Sequence, residues 1–435
     1  MSDVLAGSRT SRLINLVFFD GRADDAMISA GLRATRVRLI ADANNLKSRA
    51  GQAALVTAFQ LIARMGISIE LLAADVPLVA IVQPLRHPTI TAALLDLGAD
   101  LIPGATVTTT AERAHVTFAI GDTAAPAGAI VVEADELSGA LTTPVATKAL
   151  PITAATPLGA MAGAAAAAAI ALERALPQIE AATGCRLSSR PRPSAGPPVQ
   201  INLRDLFPQL ELDMYEIGRI DAISGGAITN SFLQNFLWLA DIDADIRVIE
   251  RELADLTNVN RYSQLRASDN DRRKIDVLAE GSNINITITG IPRLFTEETR
   301  DAIVPLADRV VVGVDNIPAR WWVQQEQPAH LYVGATDNHS AVLTTHQPGQ
   351  PCAGCAHPDP LPPLAEGGFI PTISIISFWA GFLQALALLS KPGAAQRITV
   401  YPFALGGQSW THTSQLPYRA RCSINCSASR SAEAA

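Results

Sequence analysis

The segment LTNVNRYSQLRASDNDRRK, residues 256–274, contains the groups in this chain best suited to phosphate chemistry. Asn258 and Asn260 offer side-chain amides, Arg261 can bind phosphate oxygens with two parallel hydrogen bonds, and Lys274 supplies a compact positive charge. Either cation taken alone is more typical of a solvated surface. Their close succession nevertheless predicts a site for a polyphosphate.

Two further features are typical of a nucleotide site. The turn SGGAITNS, residues 224–231, follows a predicted strand, and Gly225 and Gly226 would let the backbone approach phosphates at the start of a helix. Glu250 ends the next predicted strand, where a carboxylate commonly binds ribose hydroxyls. A pair of glycines by itself more often marks only a tight turn.

Four of the five cysteines form two pairs, Cys352-x-x-Cys355 and Cys422-x-x-x-Cys426. Four thiolates are the number that a closed tetrahedral zinc site requires, so we predict structural zinc here. The alternative is four reduced thiols, and His357 could replace one cysteine as a ligand. No residue close in sequence to the fifth cysteine, Cys185, would activate its thiol, which favours an incidental thiol over a nucleophile.

The elements around these residues alternate between strands and helices, and the strands are continuous apolar runs. This pattern predicts an α/β fold with mostly parallel, doubly wound Rossmann-like sheets. The order of elements occurs twice, which indicates a diverged internal duplication. A segment rich in proline, serine and arginine separates the halves, so we predict domains at 1–185 and 201–435 with a linker at 186–200.

Composition excludes several other classes of protein. The formal net charge of −7 and the lack of a basic cluster argue against a nucleic-acid partner. The uncharged segment 369–390 is long enough to cross a membrane, but proline, glycine and glutamine interrupt it, so a buried helix is the better interpretation. No signal peptide is recognisable at the start, and we expect a cytoplasmic protein without a membrane partner.

The ordered motifs from Met214 to Cys426 resemble the ThiF/MoeB-type adenylyltransferases, which are similar to the adenylation domains of ubiquitin-activating enzymes. That family has two acids and then Ser-Asn-Leu-Asn-Arg after its second strand, and this chain has ERELADLTNVNR. A later lysine matches Lys274, and an Asp-Asn pair after a strand matches Asp315 and Asn316. The Cys-x-x-Cys knuckle after a Pro-Gly turn matches GQPCAGC.

The resemblance implies a reaction and a role for each matching residue. ATP would place its phosphates on Gly225 and Gly226 and its ribose on Glu250. Arg261 and Lys274 would neutralise the polyphosphate, Asn258 would be a fixed donor, and Asp315 would hold Mg²⁺. The substrate would be the C-terminal carboxylate of a ubiquitin-like protein, a sulfur-carrier protein or a ribosomal peptide, which becomes an acyl-adenylate as pyrophosphate leaves.

The chain departs from the family pattern at several positions. Ser224 and Thr229 stand where glycine is usual, so side-chain atoms would crowd the phosphates or the helix packing, and Tyr262 replaces a frequent glutamine. The segment HPDPLPPLAEGGFIP lacks the cysteine with which some members form a thioester. We therefore expect the reaction to stop at the adenylate, or the acyl group to pass directly to a separate acceptor protein.

The first half lacks the glycine turn, the Asn-x-Asn-Arg sequence and the cysteine pairs, and it resembles an inactive adenylation domain. Family sites lie near a dimer contact and borrow an arginine from the partner domain, a role for which Arg9 and Arg12 are candidates. Pairing of two chains stays open. The main alternative function is a non-catalytic binding scaffold, and a nicotinamide-dependent dehydrogenase would explain Glu250 but neither the arginine nor the cysteines.

Overall fold

The structure is a computed structural model that describes residues 19–20, 24–101, 107–108, 114–143, 151–187, 197–210, 212, 216–240, 242–337, 339–357, 372–405, 409–419 and 422–424. Arg9, Arg12 and Cys426 lie outside the described residues.

The first half is built on a seven-stranded sheet of order β4-β3-β2-β5-β6-β7-β9. The five adjacent strands β4, β3, β2, β5 and β6 are parallel. Strand β7 pairs antiparallel with β6, and β9 pairs antiparallel with β7. The short strands β1 and β8 pair separately. The strands are β1 (Phe19–Asp20), β2 (Arg36–Ala41), β3 (Ser68–Ala73), β4 (Val107–Thr108), β5 (Val116–Ile120), β6 (Ile130–Ala134), β7 (Ser138–Thr142), β8 (Arg186–Leu187) and β9 (Val199–Asn202).

Among the described residues, five helices accompany this sheet: α1 (Asp25–Ala34), α2 (Ala43–Leu46), α3 (Arg49–Arg64), α4 (Ile90–Leu101) and α5 (Leu158–Thr183). Helix α5 packs against α1 and α3. Its run of alanines allows this close approach, since a larger side chain would not fit between the helices. The sequence predicts the end of this helix at residue 176, but it continues through Pro177 to Thr183 and closes on Gly184 with φ of 66°.

The second half is built on an eight-stranded sheet of order β12-β11-β10-β13-β14-β15-β16-β17. The five strands from β12 to β14 in this order are parallel, and the remaining three are antiparallel. The strands are β10 (Glu216–Ile223), β11 (Asp243–Ile249), β12 (Ile286–Ile291), β13 (Arg309–Val312), β14 (His330–Asp337), β15 (Ser340–His346), β16 (Gln396–Val400) and β17 (Thr411–Gln415).

The helices of the second half are α6 (Ala227–Leu237), α7 (Lys274–Ala279), α8 (Ile317–Gln325), α9 (Ala353–Ala356) and α10 (Ser374–Leu388), and short 3-10 turns lie at Leu203–Asp205, Leu256–Asn258, Ala267–Asp269 and Arg300–Ala302. Helices α6 and α10 touch at Gly381, where a β-carbon would lie 2.3 Å from the backbone nitrogen of Phe232. Only glycine allows the two backbones to approach so closely.

The two sheets share one arrangement. In each, the first strand of the parallel set lies at the centre, the next two strands follow on one side, and later strands follow on the other. The predicted α/β fold with two mostly parallel, pseudo-duplicated sheets is therefore confirmed. The division into domains at residues 185 and 201 stays a prediction, and strand β9, which includes residues 199 and 200 of the predicted linker, belongs to the first sheet.

One continuous cluster of buried apolar side chains runs through both halves, from Ile28 in α1 to Trp410 near β17. Helix α5 is long and apolar enough to cross a membrane by composition, but 89% of its most apolar window is buried within the protein. The segment that the sequence favours as a buried helix contains α10, whose residues are all buried. The apolar helices of this chain thus form its interior.

Candidate nucleotide and metal sites

Strand β10 lies between β11 and β13, and all three are parallel, so their carboxyl ends share one edge of the sheet. Gly225 and Gly226 follow β10, Glu250 follows β11, and Asp315 lies just beyond β13. The strands that follow β10 in the chain, β11 and β12, lie on one side of it and β13 lies on the other, and doubly wound sheets bind ligands where the strand order reverses in this way. The fold thus brings four of the predicted site residues to one crevice.

The carboxylate of Glu250 orders the glycine turn. One of its oxygens accepts a hydrogen bond from the backbone of Gly225 at 3.0 Å, and the other accepts from Arg251 at 2.8 Å and Glu252 at 2.9 Å. A β-carbon on Gly225 would lie 3.0 Å from Cγ of Glu250, so a larger residue here would press on the glutamate side chain. A ribose hydroxyl would be one more donor to the same carboxylate.

Ser224 adopts a φ of 91°, a conformation that favours glycine. Its hydroxyl oxygen accepts a hydrogen bond from the backbone of Gly226 at 2.9 Å. The amides of Gly225 and Gly226 are therefore both bonded within the protein. The glycine that is usual at this position in the family would relieve the strain and release the amide of Gly226.

Thr229, the other departure from glycine, is fully buried in the first turn of α6. The space for its side chain comes from Gly313 at the end of β13, where a β-carbon would lie 2.9 Å from the threonine hydroxyl. The small residue needed for close packing of helix on strand thus lies on the strand instead of the helix. The crowding of helix packing expected from Thr229 is relieved in this way.

In the segment 256–266, hereafter the Asn–Arg loop, the ring of Tyr262 lies beside two cations, Arg261 of the loop and Lys274 after it. The centre of the Tyr262 ring is 5.1 Å from Cζ of Arg261 and 5.3 Å from Nζ of Lys274, within the range of cation–π attraction. A β-carbon on Gly226 would lie 3.8 Å from the tyrosine hydroxyl. Tyr262, for which the sequence suggests no role, therefore brings both cations beside the glycine turn.

Arg261 is held by two hydrogen bonds of 2.7 Å, to the carbonyl of Thr257 and to the side-chain oxygen of Asn260. Burial lowers the pKa of its guanidinium, against the attraction of Tyr262, Asp255 and Asp315. Arginine remains protonated at neutral pH in proteins even so. The loop therefore presents a fixed positive charge.

Lys274 begins α7 and is buried, with Nζ 2.6 Å from a carboxylate oxygen of Glu252. Burial by itself lowers the pKa of this ammonium, but Tyr262, Glu252 and Glu250 together outweigh burial and raise it. Lys274 therefore carries its charge at neutral pH, paired with Glu252 and within electrostatic reach of Glu250.

Asn258 and Asp255 cap the short 3-10 turn at the start of the Asn–Arg loop. The Asn258 side-chain oxygen accepts from the backbone of Asp255 at 3.1 Å, and the Asp255 carboxylate accepts from Thr257 at 2.7 Å. This leaves the amide nitrogen of Asn258 as the group that could donate to a ligand from a fixed position.

Asp315 is exposed, and the next residue, Asn316, caps α8 by accepting a hydrogen bond from Ala319 at 3.1 Å. Burial lowers the pKa of both Arg261 and Arg320, and the nearby Asp315 carboxylate offsets part of that lowering by its attraction to each guanidinium. One carboxylate at the rim of the predicted phosphate site would suit Mg²⁺, which commonly keeps several waters and takes its remaining ligands from a bound substrate.

Asn230 connects the glycine turn to the Asn–Arg loop. Its side-chain nitrogen donates to the carbonyls of Gly225 at 2.9 Å and Gly226 at 3.0 Å, and its oxygen accepts from the backbone of Gln264 at 3.3 Å. The side chain is fully buried in α6. Sequence reasoning missed this residue, and the signal was an asparagine four positions after the second glycine.

Cys352, Cys355 and Cys422 form a buried cluster in which Sγ of Cys352 lies 3.8 Å from Sγ of Cys355 and 3.3 Å from Sγ of Cys422. Zn–S bonds of about 2.3 Å in a tetrahedron separate sulfurs by about 3.8 Å, so these thiols fit a metal ion. Cys426, the predicted fourth ligand, lies outside the described residues. The cluster joins the loop before α9 to the C-terminal segment.

His357, the alternative ligand, has its ring nitrogens 3.3 and 3.4 Å from one guanidinium nitrogen of Arg320. Burial and the nearby Arg320 lower the pKa of this imidazole to about 3, so the ring is neutral. Its carbonyl accepts a hydrogen bond from the Trp321 indole at 2.8 Å. The described contacts of His357 thus fasten α8 to the segment that follows the Cys-x-x-Cys pair.

The corresponding crevice in the first half is filled by Asn45, which is fully buried. Its side-chain nitrogen donates to Asp42, Asp122 and Thr123 at 2.9 to 3.2 Å, and its oxygen accepts from the backbone of Ile152 at 3.0 Å. Polar groups of the protein thus occupy the place between the ends of β2 and β5 where a doubly wound sheet would admit a ligand.

Residues 233–422 match the model of the ThiF family. The resemblance is confirmed for this segment. The ThiF segment starts within α6 and ends at Cys422, and it contains Glu250, the Asn–Arg loop, Lys274 and Asp315. The glycine turn precedes it.

Several solved structures resemble this chain. MccB from E. coli is 18% identical with a TM-score of 0.40, over 49% of this chain and 66% of that one. MccB from E. coli with ATP is also 18% identical with a TM-score of 0.40, over 49% of this chain and 68% of that one. The microcin C7 biosynthetic enzyme MccB in complex with N-formylated MccA is 18% identical with a TM-score of 0.40, over 48% of this chain and 67% of that one. The similarity thus spans about two thirds of those chains. None of the curated protein sequences matches.

Proposed function

We propose that this chain is an ATP-dependent adenylyltransferase that activates the C-terminal carboxylate of a ubiquitin-like protein, a sulfur-carrier protein or a peptide. One observation carries the proposal: within a segment that matches the ThiF family, Tyr262 holds the cations of Arg261 and Lys274 beside a glycine turn. Two fixed cations beside a glycine turn suit the polyphosphate of a nucleotide better than they suit a neutral ligand.

In the proposed reaction an oxygen of the substrate carboxylate attacks the α-phosphorus of ATP. The new bond is the mixed anhydride of the acyl-adenylate, and the bond that breaks joins the α-phosphorus to the oxygen leading to pyrophosphate. The electron pair of that bond leaves with pyrophosphate. Arg261 and Lys274 would stabilise the negative charge that develops, Glu250 would accept from the ribose, and Asn258 would donate to a phosphate or to the carboxylate.

Mg²⁺ would shield the charge of the phosphates when bound at Asp315. The remaining work is done by groups of the chain that are already in place: Asn230 and Glu250 fix the turn, and Tyr262 aligns the two cations. This is catalysis by positioning and electrostatics, with no protein nucleophile.

The acyl-adenylate would pass to a separate acceptor protein, since the segment 357–371 contains no cysteine that could take the acyl group. Cys185 is a poor substitute because it lies in the first half, just after α5. We place this activity in the cytoplasm, and a second copy of the chain is a further candidate partner.

The competing proposal is a binding scaffold that keeps the fold but does not bind ATP. It is favoured by the turn itself, because Ser224 and Glu250 already bond to the amides of Gly226 and Gly225. ATP would have to displace the serine hydroxyl to reach the amide of Gly226.

Calorimetric titration of Mg-ATP into the whole chain tests the first proposal. We expect Arg261→Ala and Asp315→Ala each to weaken binding about tenfold or more, because each loses a charged contact to the nucleotide or its metal. Asp243→Ala is the matched control for the carboxylate, since Asp243 is exposed at the opposite end of strand β11. Its affinity should equal that of the wild type.

A folded wild type that does not bind Mg-ATP would favour the scaffold. Binding that both site variants leave unchanged would show that the nucleotide occupies another site. If binding behaves as expected, exchange of labelled pyrophosphate into ATP, stimulated by candidate peptides with free C-termini and not by the same peptides with C-terminal amides, would identify the carboxylate substrate.

A further inference from the structure

The two halves meet along the Asn–Arg loop and the few residues after it. Arg266 donates to the carbonyl of Pro84 at 2.9 Å and pairs with Asp96 at 2.6 Å. The backbone of Ala267 donates to Asp100 at 2.7 Å, and Arg86 pairs with Asp269 at 2.8 Å. The first half, which lacks the predicted site, therefore binds residues 266–269, where the Asn–Arg loop ends.

Arg64, the last residue of α3, reaches the loop itself. Its guanidinium donates to the carbonyls of Val259 at 2.6 Å, Ser263 at 2.8 Å and Leu265 at 2.9 Å. The side chain is fully buried. A buried charge of this kind is stable only where several acceptors replace its hydration, and here backbone carbonyls do so.

The three carbonyls lie on both sides of Arg261 and Tyr262. Hydrogen bonds to them fix the orientation of the peptide groups after residues 259, 263 and 265, and the residues between have little freedom to rotate. A guanidinium can bond to three separated carbonyls because its donors form a rigid planar fork. The ammonium of lysine carries all its hydrogens on one atom and cannot match that spacing.

We propose that Arg64 is a positioning residue through which the first half sets the conformation of the Asn–Arg loop, and with it the placement of Arg261 and Tyr262 beside the glycine turn. The proposal deepens the nucleotide site described above and rests on that proposed function. The first half then contributes to the site without touching a ligand.

Two measurements on the whole chain test this role, using Arg64→Lys with Arg86→Lys as the matched control. Arg86 lies at the same contact between the halves but bonds to Asp269, beyond the loop. The first measurement is hydrogen–deuterium exchange of peptides that cover residues 256–266, and the second is the affinity for Mg-ATP. Arg64→Lys should speed exchange in the loop and weaken Mg-ATP binding by about tenfold or more, whereas Arg86→Lys should change neither.

The two readouts separate this inference from the proposed function. Exchange in the loop needs no nucleotide, so a wild type that fails to bind Mg-ATP would count against the function while the exchange data still decide the positioning role. Unchanged loop exchange in Arg64→Lys, or unchanged affinity in a wild type that does bind, would overturn it. If Arg64→Lys does not fold, Arg64→Gln is the second variant, and unfolding of both would assign Arg64 to the core instead.

Discussion

Ser224 has a strained backbone, and its hydroxyl accepts a hydrogen bond from the Gly226 amide that a phosphate would use. Substitution of Ser224 should therefore affect stability and nucleotide binding differently. Ser224→Gly removes a strain of about 1–3 kcal/mol but also loses a hydrogen bond and adds disorder to the unfolded chain. We expect the melting temperature to change little, while the affinity for Mg-ATP rises several-fold as the amide of Gly226 becomes available. Calorimetry and thermal unfolding of the same samples measure both quantities.

Ser224→Ala is the control, because it removes the hydroxyl and keeps the β-carbon. It should be less stable than wild type by about 1 kcal/mol through the lost hydrogen bond. Ser224→Gly that binds no tighter than wild type would mean that the serine does not restrict the turn.

Lys274 should contribute stability that disappears at alkaline pH. The folded protein raises its pKa above the ordinary value of 10.5, so the charged form is favoured in the native state at every pH below that value. The difference in unfolding free energy between wild type and Lys274→Met should be constant from pH 7 to 10 and should shrink as the pH rises through the raised pKa. Urea titrations across this range measure it, and a difference that grew with pH would contradict the raised pKa.

At the residue scale the sequence identifies candidate site residues where the chemistry of the ligand requires a particular type of side chain. Glu250, Arg261 and Asp315 could be selected because their charges and order are unusual. The roles of Tyr262, Asn230 and Arg64 depend on contacts across the fold: Arg64 bonds to carbonyls about 200 positions later, and a carbonyl leaves no trace in residue identity. Long-range bonds to the backbone are therefore what sequence reasoning could not find.

A bound metal ion should join α9 and the residue before it to the segment that contains Cys422. We expect one zinc ion per purified chain by elemental analysis, and Cys355→Ser should lose it and melt at a clearly lower temperature, because structural zinc contributes directly to folding. Cys185→Ser is the matched control and should keep both the metal and the melting temperature. Full retention of zinc by Cys355→Ser would place the ion elsewhere.

At the element scale the apolar runs predict the strands well because a parallel strand buried on both faces needs such a run. The boundaries were less accurate. The apolar run RVVVGVD predicts a strand over residues 309–315, but β13 ends at Val312, and Gly313 after it makes room for Thr229. The apolar pattern predicts a helix over residues 378–389, but α10 begins four residues earlier, at Ser374. Both limits depend on the packing partner, which the local sequence does not specify.

At the scale of the whole molecule, the continuous core predicts that neither half is self-sufficient. In the interface, Ser374 of α10 donates to the carbonyl of Leu61 in α3 at 3.0 Å, and buried apolar residues of both helices belong to one cluster. A chain reduced to residues 197–435 should expose this surface and bind the dye ANS strongly, whereas the whole chain should not. A reduced chain that stays monomeric in sedimentation without binding the dye would show that the second half folds alone.

Arg64 and Asp96 contact the Asn–Arg loop, and Arg86 and Asp100 contact the residues just after it, so these bonds join two halves of one polypeptide. A site that depends on a separate partner molecule is lost as the protein is diluted, since association depends on concentration. Here the partner is tethered, and its local concentration is set by the length of the chain. The rate per molecule of any reaction at this site should therefore stay constant on dilution far below the concentrations at which separate protein subunits dissociate.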